Sequence, residues 1–270
     1  MSFLQALLLS FIQSATEFLP VSSSGHLLFM KGALGLTNVP LIFDILIHVG
    51  SLIAILVFYR HRLAQTVSGL LTEVSKEKRI GEEGRWAVFL ILATGVTFAM
   101  YLLGGDLIEA RFERPSTLPV TYLLTTVILG ATYFAPRTPK RKTVQLTWQW
   151  IVMIGFFQAM AMLPGVSRSG STIAPLLLLG VMRKDAGYFA FSLAIPAILG
   201  AFIFELTDAA QLTYLTTHPV LCLAALAVSA GASYGFLKMI DWVLGKKTFW
   251  YFSFYTMGMA VLSFILFGVS

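Results

Sequence analysis

Six stretches of this chain are apolar for long enough to cross a lipid bilayer, and no other feature restricts its folding as strongly. They cover residues 41–59, 86–103, 118–134, 188–206, 220–237 and 249–267, each close to the ~20 residues that span a hydrocarbon core. Only 12% of the residues are charged and 57% are hydrophobic, whereas a soluble domain carries about 25% charged residues. A water-soluble globular protein is thereby excluded. The expected class is an all-α, polytopic integral membrane protein, a single membrane domain over residues 1–270.

Two further regions, residues 1–36 and 148–182, are apolar but broken midway. The first break is Pro20 with Ser22, Ser23, Ser24 and Gly25, and the second is Pro164, Gly165, Ser167, Arg168, Ser169 and Gly170. Each half is too short to cross alone, and irregular backbone at membrane depth is tolerated only where protein or a water-filled cavity surrounds it. Two re-entrant helix-loop-helix hairpins with polar tips are the expectation.

The net charge of +6 comes from 19 Lys and Arg against 13 Asp and Glu. With six spans and two hairpins, one side of the membrane receives Arg60, Arg62, Lys76, Lys78, Arg79, Arg85, Arg137, Lys140, Arg141, Lys142, Arg183, Lys184, Lys238, Lys246 and Lys247. The other receives Lys31, Arg111 and Arg114, and Arg168 is left at a hairpin tip. Cytoplasmic loops collect Lys and Arg, so both termini are expected outside. The same asymmetry accounts for the basic balance without nucleic acid as a partner. Cys222 is the single cysteine, which excludes an intrachain disulfide and a cysteine-based metal site. The first cation is Lys31, so the basic segment that opens a cleaved signal peptide is missing and the N-terminal helix is expected in the mature protein.

The two interrupted regions match each other. Phe11-Ile-Gln13-Ser-Ala-Thr-Glu17-Phe-Leu-Pro20-Val-Ser-Ser-Ser-Gly25 lies over Phe156-Phe-Gln158-Ala-Met-Ala-Met-Leu-Pro164-Gly-Val-Ser-Arg-Ser-Gly170, and Phe43-Asp-Ile-Leu-Ile47 lies over Phe191-Ser-Leu-Ala-Ile195. Repeats of about 1–135 and 136–270, entered from opposite sides, make an inverted-topology repeat of the transporter type. The tips are expected to meet near the midplane and to bring Glu17, Ser22, Ser23, Ser24 and His26 to Ser167, Arg168, Ser169 and Thr172. Ionisable groups buried in lipid are functional by default. Plainer roles stand beside that reading: close packing for Ser24 and Ser169, a structural ion pair for Glu17 and Arg168, and structural histidines at His26 and, with more weight, His48.

Glycines opening a helix present free N–H groups, and with a nearby Arg they suit a phosphate or diphosphate. Gly25 and Gly170 each precede such a helix. Seryl, threonyl and imidazole groups, Ser23 and His26 among them, supply a candidate nucleophile, while Glu17, with Gln13 one turn away, can hold a divalent cation or orient the imidazole. The chemistry indicated is phosphoryl transfer to water. A transporter or lipid-phosphate flippase of the same plan is the alternative, because a fold alone does not fix a function. A transporter needs no nucleophile and base, and that pair favours the enzyme.

At these residues the sequence resembles a known family. Gln13-Ser-Ala-Thr-Glu17-Phe-Leu-Pro-Val-Ser-Ser-Ser-Gly-His26 and Pro164-Gly-Val-Ser-Arg-Ser-Gly-Ser-Thr172, with Ile47-His-Val-Gly-Ser-Leu-Ile-Ala54, are similar to segments of the BacA-type undecaprenyl-diphosphate phosphatases, the bacitracin resistance proteins. The resemblance implies hydrolysis of undecaprenyl diphosphate to the monophosphate carrier of peptidoglycan synthesis, a multi-pass location in the bacterial plasma (inner) membrane, and an active site open to the outer, periplasmic face. It implies a divalent cation, Mg2+ or Ca2+, with Glu17 and Gln13 as candidate ligands. As partners it implies the polyprenyl diphosphate lipid and membrane lipids, and a homodimer is allowed for. Carried over, its catalytic residues fall on Ser23, His26, Glu17 and Arg168, with Gln13, Ser22, Ser24, Gly25, Ser167, Ser169, Gly170 and Thr172 around the phosphate. Gln13 stands where many members have Glu and brings no second negative charge to a metal. The resemblance leaves the nucleophile open between serine and histidine.

Overall fold

A computed structural model describes residues 1–36, 38–77 and 80–268. Lys78 and Arg79, two of the cations counted above, lie outside the described residues. The chain runs through α1 (Phe3–Phe18), α2 (Ser23–Ala33), α3 (Leu41–Phe58), α4 (Arg60–Thr72), α5 (Glu82–Phe112) and α6 (Leu118–Ala131). It continues through α7 (Trp148–Met160), α8 (Arg168–Leu178), α9 (Arg183–Glu205), α10 (Ala209–Thr217), α11 (Pro219–Leu244) and α12 (Phe252–Phe267). Among the described residues there is no strand, and the only β-type pairing is an isolated bridge between Arg141 and Val181. Six helical stretches are long and apolar enough to cross a membrane: Leu41–Phe58, Glu82–Gly105, Pro115–Phe134, Arg183–Glu205, Pro219–Leu244 and Phe249–Phe267.

Each interrupted region is a pair of helices joined by a short loop. A helix rises ~1.5 Å per residue, so α1 and α8 are only about 24 and 16 Å long, against a hydrocarbon core of ~30 Å. Ser2 starts α1 with a capping box, its hydroxyl accepting from Gln5 N at 3.2 Å while Gln5 Oε1 accepts from Ser2 N at 2.7 Å. That pairing satisfies two N–H groups the first turn would otherwise leave open. α8 carries Pro175 in its interior.

α3 and α9 cross at the centre, with half of each spanning window buried, whereas only 11% of the α5 window is. α1 packs on α11 and α7 on α5, while α6 and α12 pack on each other. The order in the first half, a helix pair followed by a spanning helix, a short helix and two spanning stretches, returns in the second. Phe18, 1% exposed, meets Phe191 of α9 edge to face at 5.5 Å, which holds the end of α1 against the centre. Ring pairs of this kind add about 0.5–1.5 kcal/mol beyond their buried area. On the outside, Leu4, Ile91, Leu103, Val127, Phe134 and Val220 are more than two-thirds exposed. So large an apolar surface is stable only against lipid.

The structure departs from the sequence reading chiefly at helix ends. α5 runs to Phe112 and α11 to Leu244, beyond the expected 103 and 237, and α4 and α10 occupy stretches read as loops. Charge marks where a helix leaves lipid, but the backbone stays hydrogen-bonded past that point. In α11, the Lys238 ammonium lies 4.5 Å over the Tyr234 ring one turn back, a cation–π contact that lets the helix run on past its first charge.

Candidate active site

The two loops between paired helices meet. Ser22, the N-cap of α2, accepts at its hydroxyl from Gly25 N in its own helix at 3.2 Å and from Gly165 N of the other loop at 3.1 Å. Ser167 caps α8 in the same way, its hydroxyl accepting from Gly170 N at 3.1 Å. The Ser22 and Ser24 hydroxyls are 3.3 Å apart, and those of Ser167 and Ser169 3.2 Å. Ser169 also donates to Leu19 O at 3.1 Å, a further tie between the loops. Thr125 of α6 fixes the second loop by donating to Gly165 O at 2.7 Å and accepting from Ser167 N at 3.1 Å.

Both loops depend on unusual backbone. Ser22 has φ 69°, a value that costs a non-glycine residue of order 1–3 kcal/mol and persists only where the surroundings fix it. A Cβ on Gly25 would stand 2.7 Å from Gly165 Cα and 2.8 Å from the Tyr122 hydroxyl. Gly25→Ala is therefore expected to force the loops apart and to destabilise by about 1–3 kcal/mol, the usual cost of overpacking. Thermal unfolding and activity assays of the variant check this, and an unchanged melting temperature with unchanged activity would refute the close approach.

At this junction Glu17, whose side chain is 4% exposed, is held from four directions. Its carboxylate pairs with the Arg168 guanidinium and accepts from the Ser23 hydroxyl. Oε2 also lies 3.3 Å from Gln13 Nε2 and 3.3 Å from His48 Nε2. His48 Nδ1 donates to Asp44 O at 2.7 Å, so its Nε2 contact with a carboxylate is attractive only when a proton lies between them. Asp44 in turn pairs with Lys31. Gln13, fully buried, accepts at Oε1 from Ser229 at 3.2 Å and donates at Nε2 to Ser51 Oγ at 3.1 Å, and Ser51 meets Ser233 at 2.8 Å. These serines lock the amide so that its nitrogen faces Glu17.

The structure thus brings Gln13, Glu17, Ser23 and Arg168 into one connected cluster. It arranges His26 differently from the expected pairing with Ser23. His26 Nδ1 donates to Ser22 O at 2.7 Å with the Tyr122 hydroxyl 3.1 Å away, and Nε2 accepts from the Tyr255 hydroxyl at 2.8 Å. Tyr255 stacks on the imidazole with centroids 5.7 Å apart. Glu17, and not His26, is the base in contact with Ser23. Thr172 turns back into its own helix, donating to Arg168 O at 2.8 Å, because a threonine within a helix satisfies its hydroxyl on the preceding turn. The Gly25 and Gly170 N–H groups are already taken by their cap serines. The N–H groups with no partner inside the helix are those of the first two positions, Ser23 and Ser24 in α2 and Arg168 and Ser169 in α8. Two helix N-termini with an arginine between them form an anion site.

Beside the ion pair lies a cavity of about 10 Å3, lined by Glu17, Arg168, Ser169 and the apolar Phe18, Ile55 and Phe191. That is room for about one water, so an anion must separate Arg168 from Glu17 to enter. Among the described residues no three His, Cys, Asp or Glu side chains converge as a metal site. Gln13 turns a donor toward Glu17, which would leave Glu17 as the one carboxylate among the described residues of the cluster able to hold a divalent cation. That donor set fits Mg2+ in the mode where one or two carboxylates and substrate phosphates share the ion.

Tyr122, Tyr255, Thr125, Ser51, Ser229 and Ser233 escaped the sequence reading. The one available signal was spacing, since Thr121 with Thr125 and Ser229 with Ser233 each share a helix face at i, i+4.

Residues 6–262 match the model of the family described as bacitracin resistance protein BacA. The chain is 33% identical to undecaprenyl-diphosphatase 1 of Shouchella clausii (strain KSM-K16) over 98% of this chain and 96% of that protein. It is 33% identical to the undecaprenyl-diphosphatase of Desulfatibacillum aliphaticivorans, covering 94% and 95% of the two chains. A third relative, the undecaprenyl-diphosphatase of Alcanivorax borkumensis, is 36% identical over 77% and 78%.

Proposed function

The chain belongs to the bacitracin resistance protein BacA family, and from that membership we propose how its site hydrolyses undecaprenyl diphosphate to undecaprenyl phosphate and inorganic phosphate. The activity is that of its curated relatives over nearly the whole chain, and it is the step that returns the lipid carrier to cell-wall synthesis and underlies bacitracin resistance in the family. One observation carries the mechanism: the Ser23 hydroxyl, Glu17 carboxylate and Arg168 guanidinium are in direct contact where α2 and α8 begin.

The terminal phosphate draws Arg168 away from Glu17 and sits between the guanidinium and the free N–H groups of α2 and α8. Released from its ion pair, Glu17 becomes the stronger base toward Ser23. Ser23 Oγ attacks the terminal phosphorus and its proton passes to Glu17. The bond from that phosphorus to the bridging oxygen breaks, and undecaprenyl phosphate leaves with the electron pair. Water then attacks the phosphoserine, its proton passing to the Tyr255 hydroxyl as that hydroxyl gives its own to His26 Nε2, from which it is released to solvent. Glu17 returns the first proton to the serine oxygen as inorganic phosphate departs. Fixed donors aimed at the developing charge supply the largest share of such catalysis. A divalent cation, Mg2+ or Ca2+, would add charge neutralisation at the phosphate; Glu17 would hold it through Oε1, the oxygen that pairs with Arg168 at rest, and keep Oε2 for the Ser23 proton. Gln13 and its serines keep Glu17 in place.

In this reading α1–α2 and α7–α8 are re-entrant hairpins, and residues 1–135 and 136–270 are inverted repeats. Their short helices, joined loops and recurring helix order support it. The isoprenoid tail leaves sideways between helices into lipid. The site faces the periplasm from the plasma (inner) membrane, and both termini lie outside, as the cation asymmetry requires. With Cys222→Ser as background, a cysteine at the exposed Thr138 is expected to react with impermeant maleimide only in inverted vesicles. Reaction in intact spheroplasts would reverse the topology.

The enzymatic reading is tested by phosphate release from undecaprenyl diphosphate by the purified protein in detergent, where no second compartment exists. Release is expected. Transport in vesicles with no hydrolysis in detergent would instead identify a carrier.

A further inference from the structure

A second cationic site lies away from the catalytic cluster. After α6 the chain turns through Tyr133 and Phe134, and its next residues are fastened to the start of α9. Arg141 N donates to Gly180 O at 3.1 Å, and Met182 N to Arg141 O at 2.8 Å. This pairing brings Arg137 to Arg183, the first residue of α9, and the link between α11 and α12 adds Lys247. The three cations line a cavity of about 250 Å3 with Tyr133, Phe249 and Trp250. Tyr133 and Trp250 meet edge to face at 5.3 Å.

Three like charges around one cavity repel unless an anion joins them. The nearby acidic groups are engaged elsewhere. Asp185 accepts from Thr143 N and Oγ1 at 2.6 and 2.7 Å, Asp241 faces Lys184 at 3.8 Å, and Glu82 pairs with Lys142 at 2.7 Å. Among the described residues none of Arg137, Arg183 and Lys247 has an acidic partner. The α9 N-terminus adds N–H groups and the positive end of its dipole. The cavity shares no residue with the catalytic cluster and lies beyond the far end of α8, about 16 Å of helix from Arg168.

We infer that this cavity binds a phosphate group, carried on a lipid headgroup or free in solution. Two guanidiniums match phosphate geometry in a way ammonium groups do not. Basic pockets between membrane helices on the cation-rich side are suited to anionic headgroups. Phe134, 80% exposed, packs its ring on the lining residue Tyr133 with centroids 5.3 Å apart and offers apolar surface to an acyl chain, while Trp250 and Tyr133 supply the amphipathic rings that favour the interface.

The test is native mass spectrometry of the detergent-purified full chain, titrated with phosphatidic acid, phosphatidylcholine or inorganic phosphate. Phosphatidic acid is expected to bind and phosphatidylcholine not. Arg137→Gln with Lys247→Gln, both at exposed positions, should weaken binding by about tenfold or more, and adding Arg183→Gln should abolish it. Arg168→Lys, which keeps the charge that Glu17 needs, should leave it unchanged. Competition by millimolar inorganic phosphate would identify the free anion as the ligand, and its absence the lipid headgroup. Equal binding of phosphatidic acid by the native chain and the Arg137/Lys247 variant would overturn the proposal, as would loss of binding in Arg168→Lys. Turnover of a short-chain diphosphate by the Arg137/Lys247 variant should match the native chain, showing that the variant is folded.

Discussion

Replacing Arg168 by Lys is expected to lower turnover by about 10²–10³-fold, the usual cost of removing one preorganised donor to transition-state charge, while the protein remains folded. Two facts set the direction. The guanidinium touches a carboxylate whose side chain is 4% exposed, and a lysine still supplies a positive partner, so no uncompensated charge is buried. What is lost is the planar fork that can move from Glu17 to two phosphate oxygens at once. Arg168→Ala is the contrasting variant. It leaves Glu17 buried without its main counter-charge, a change that costs about 3–5 kcal/mol, and is expected to fail in stability as well as activity. Steady-state phosphate release beside thermal unfolding separates the two outcomes. Near-native turnover in Arg168→Lys would show that the arginine serves only the resting ion pair.

The membrane class, the six spans and the two interrupted regions were legible because each rests on long runs or repeated strings of residue types. Helix ends were not, since α5 continues through Leu107 to Phe112 by backbone bonding that hydropathy does not register. At the site, Glu17, Ser23 and Arg168 were legible because charged and hydroxyl groups are conspicuous in apolar sequence. Their pairing was less so. Ser23 and His26 are three apart on α2, and that spacing suggested a partnership, yet Tyr122 and Tyr255 hold the imidazole from residues 96 and 229 positions away. Sequence spacing reports neighbours on one helix, while contacts between helices depend on packing, and single tyrosines on apolar helices look like ordinary membrane residues. The same reason hid the meeting of His48 with Glu17.

If Ser23 is the nucleophile and Glu17 its base, Ser23→Ala should reduce turnover to background, because no other hydroxyl is in contact with Glu17 among the described residues. Glu17→Gln should cost at least about 10²–10⁴-fold, the range for general base assistance, since the amide cannot take the proton, and because it also leaves Arg168 without its counter-charge, thermal unfolding is read beside turnover. His26→Gln should slow the release of phosphate from the enzyme more than its formation, and so let phosphoserine accumulate. Both ring nitrogens of His26 are already bonded, to Ser22 O and the Tyr255 hydroxyl, and a nucleophilic nitrogen needs a free lone pair. The two routes leave chemically different intermediates. With substrate labelled in its terminal phosphate, rapid acid quench of His26→Gln is expected to retain label that is stable to acid and lost with Ser23→Ala. In the native protein, label that is stable to alkali, lost in acid and mapped to His26 would reverse the assignment. The hydrolysis of undecaprenyl diphosphate would stand, but Ser23 would become a residue that positions Glu17.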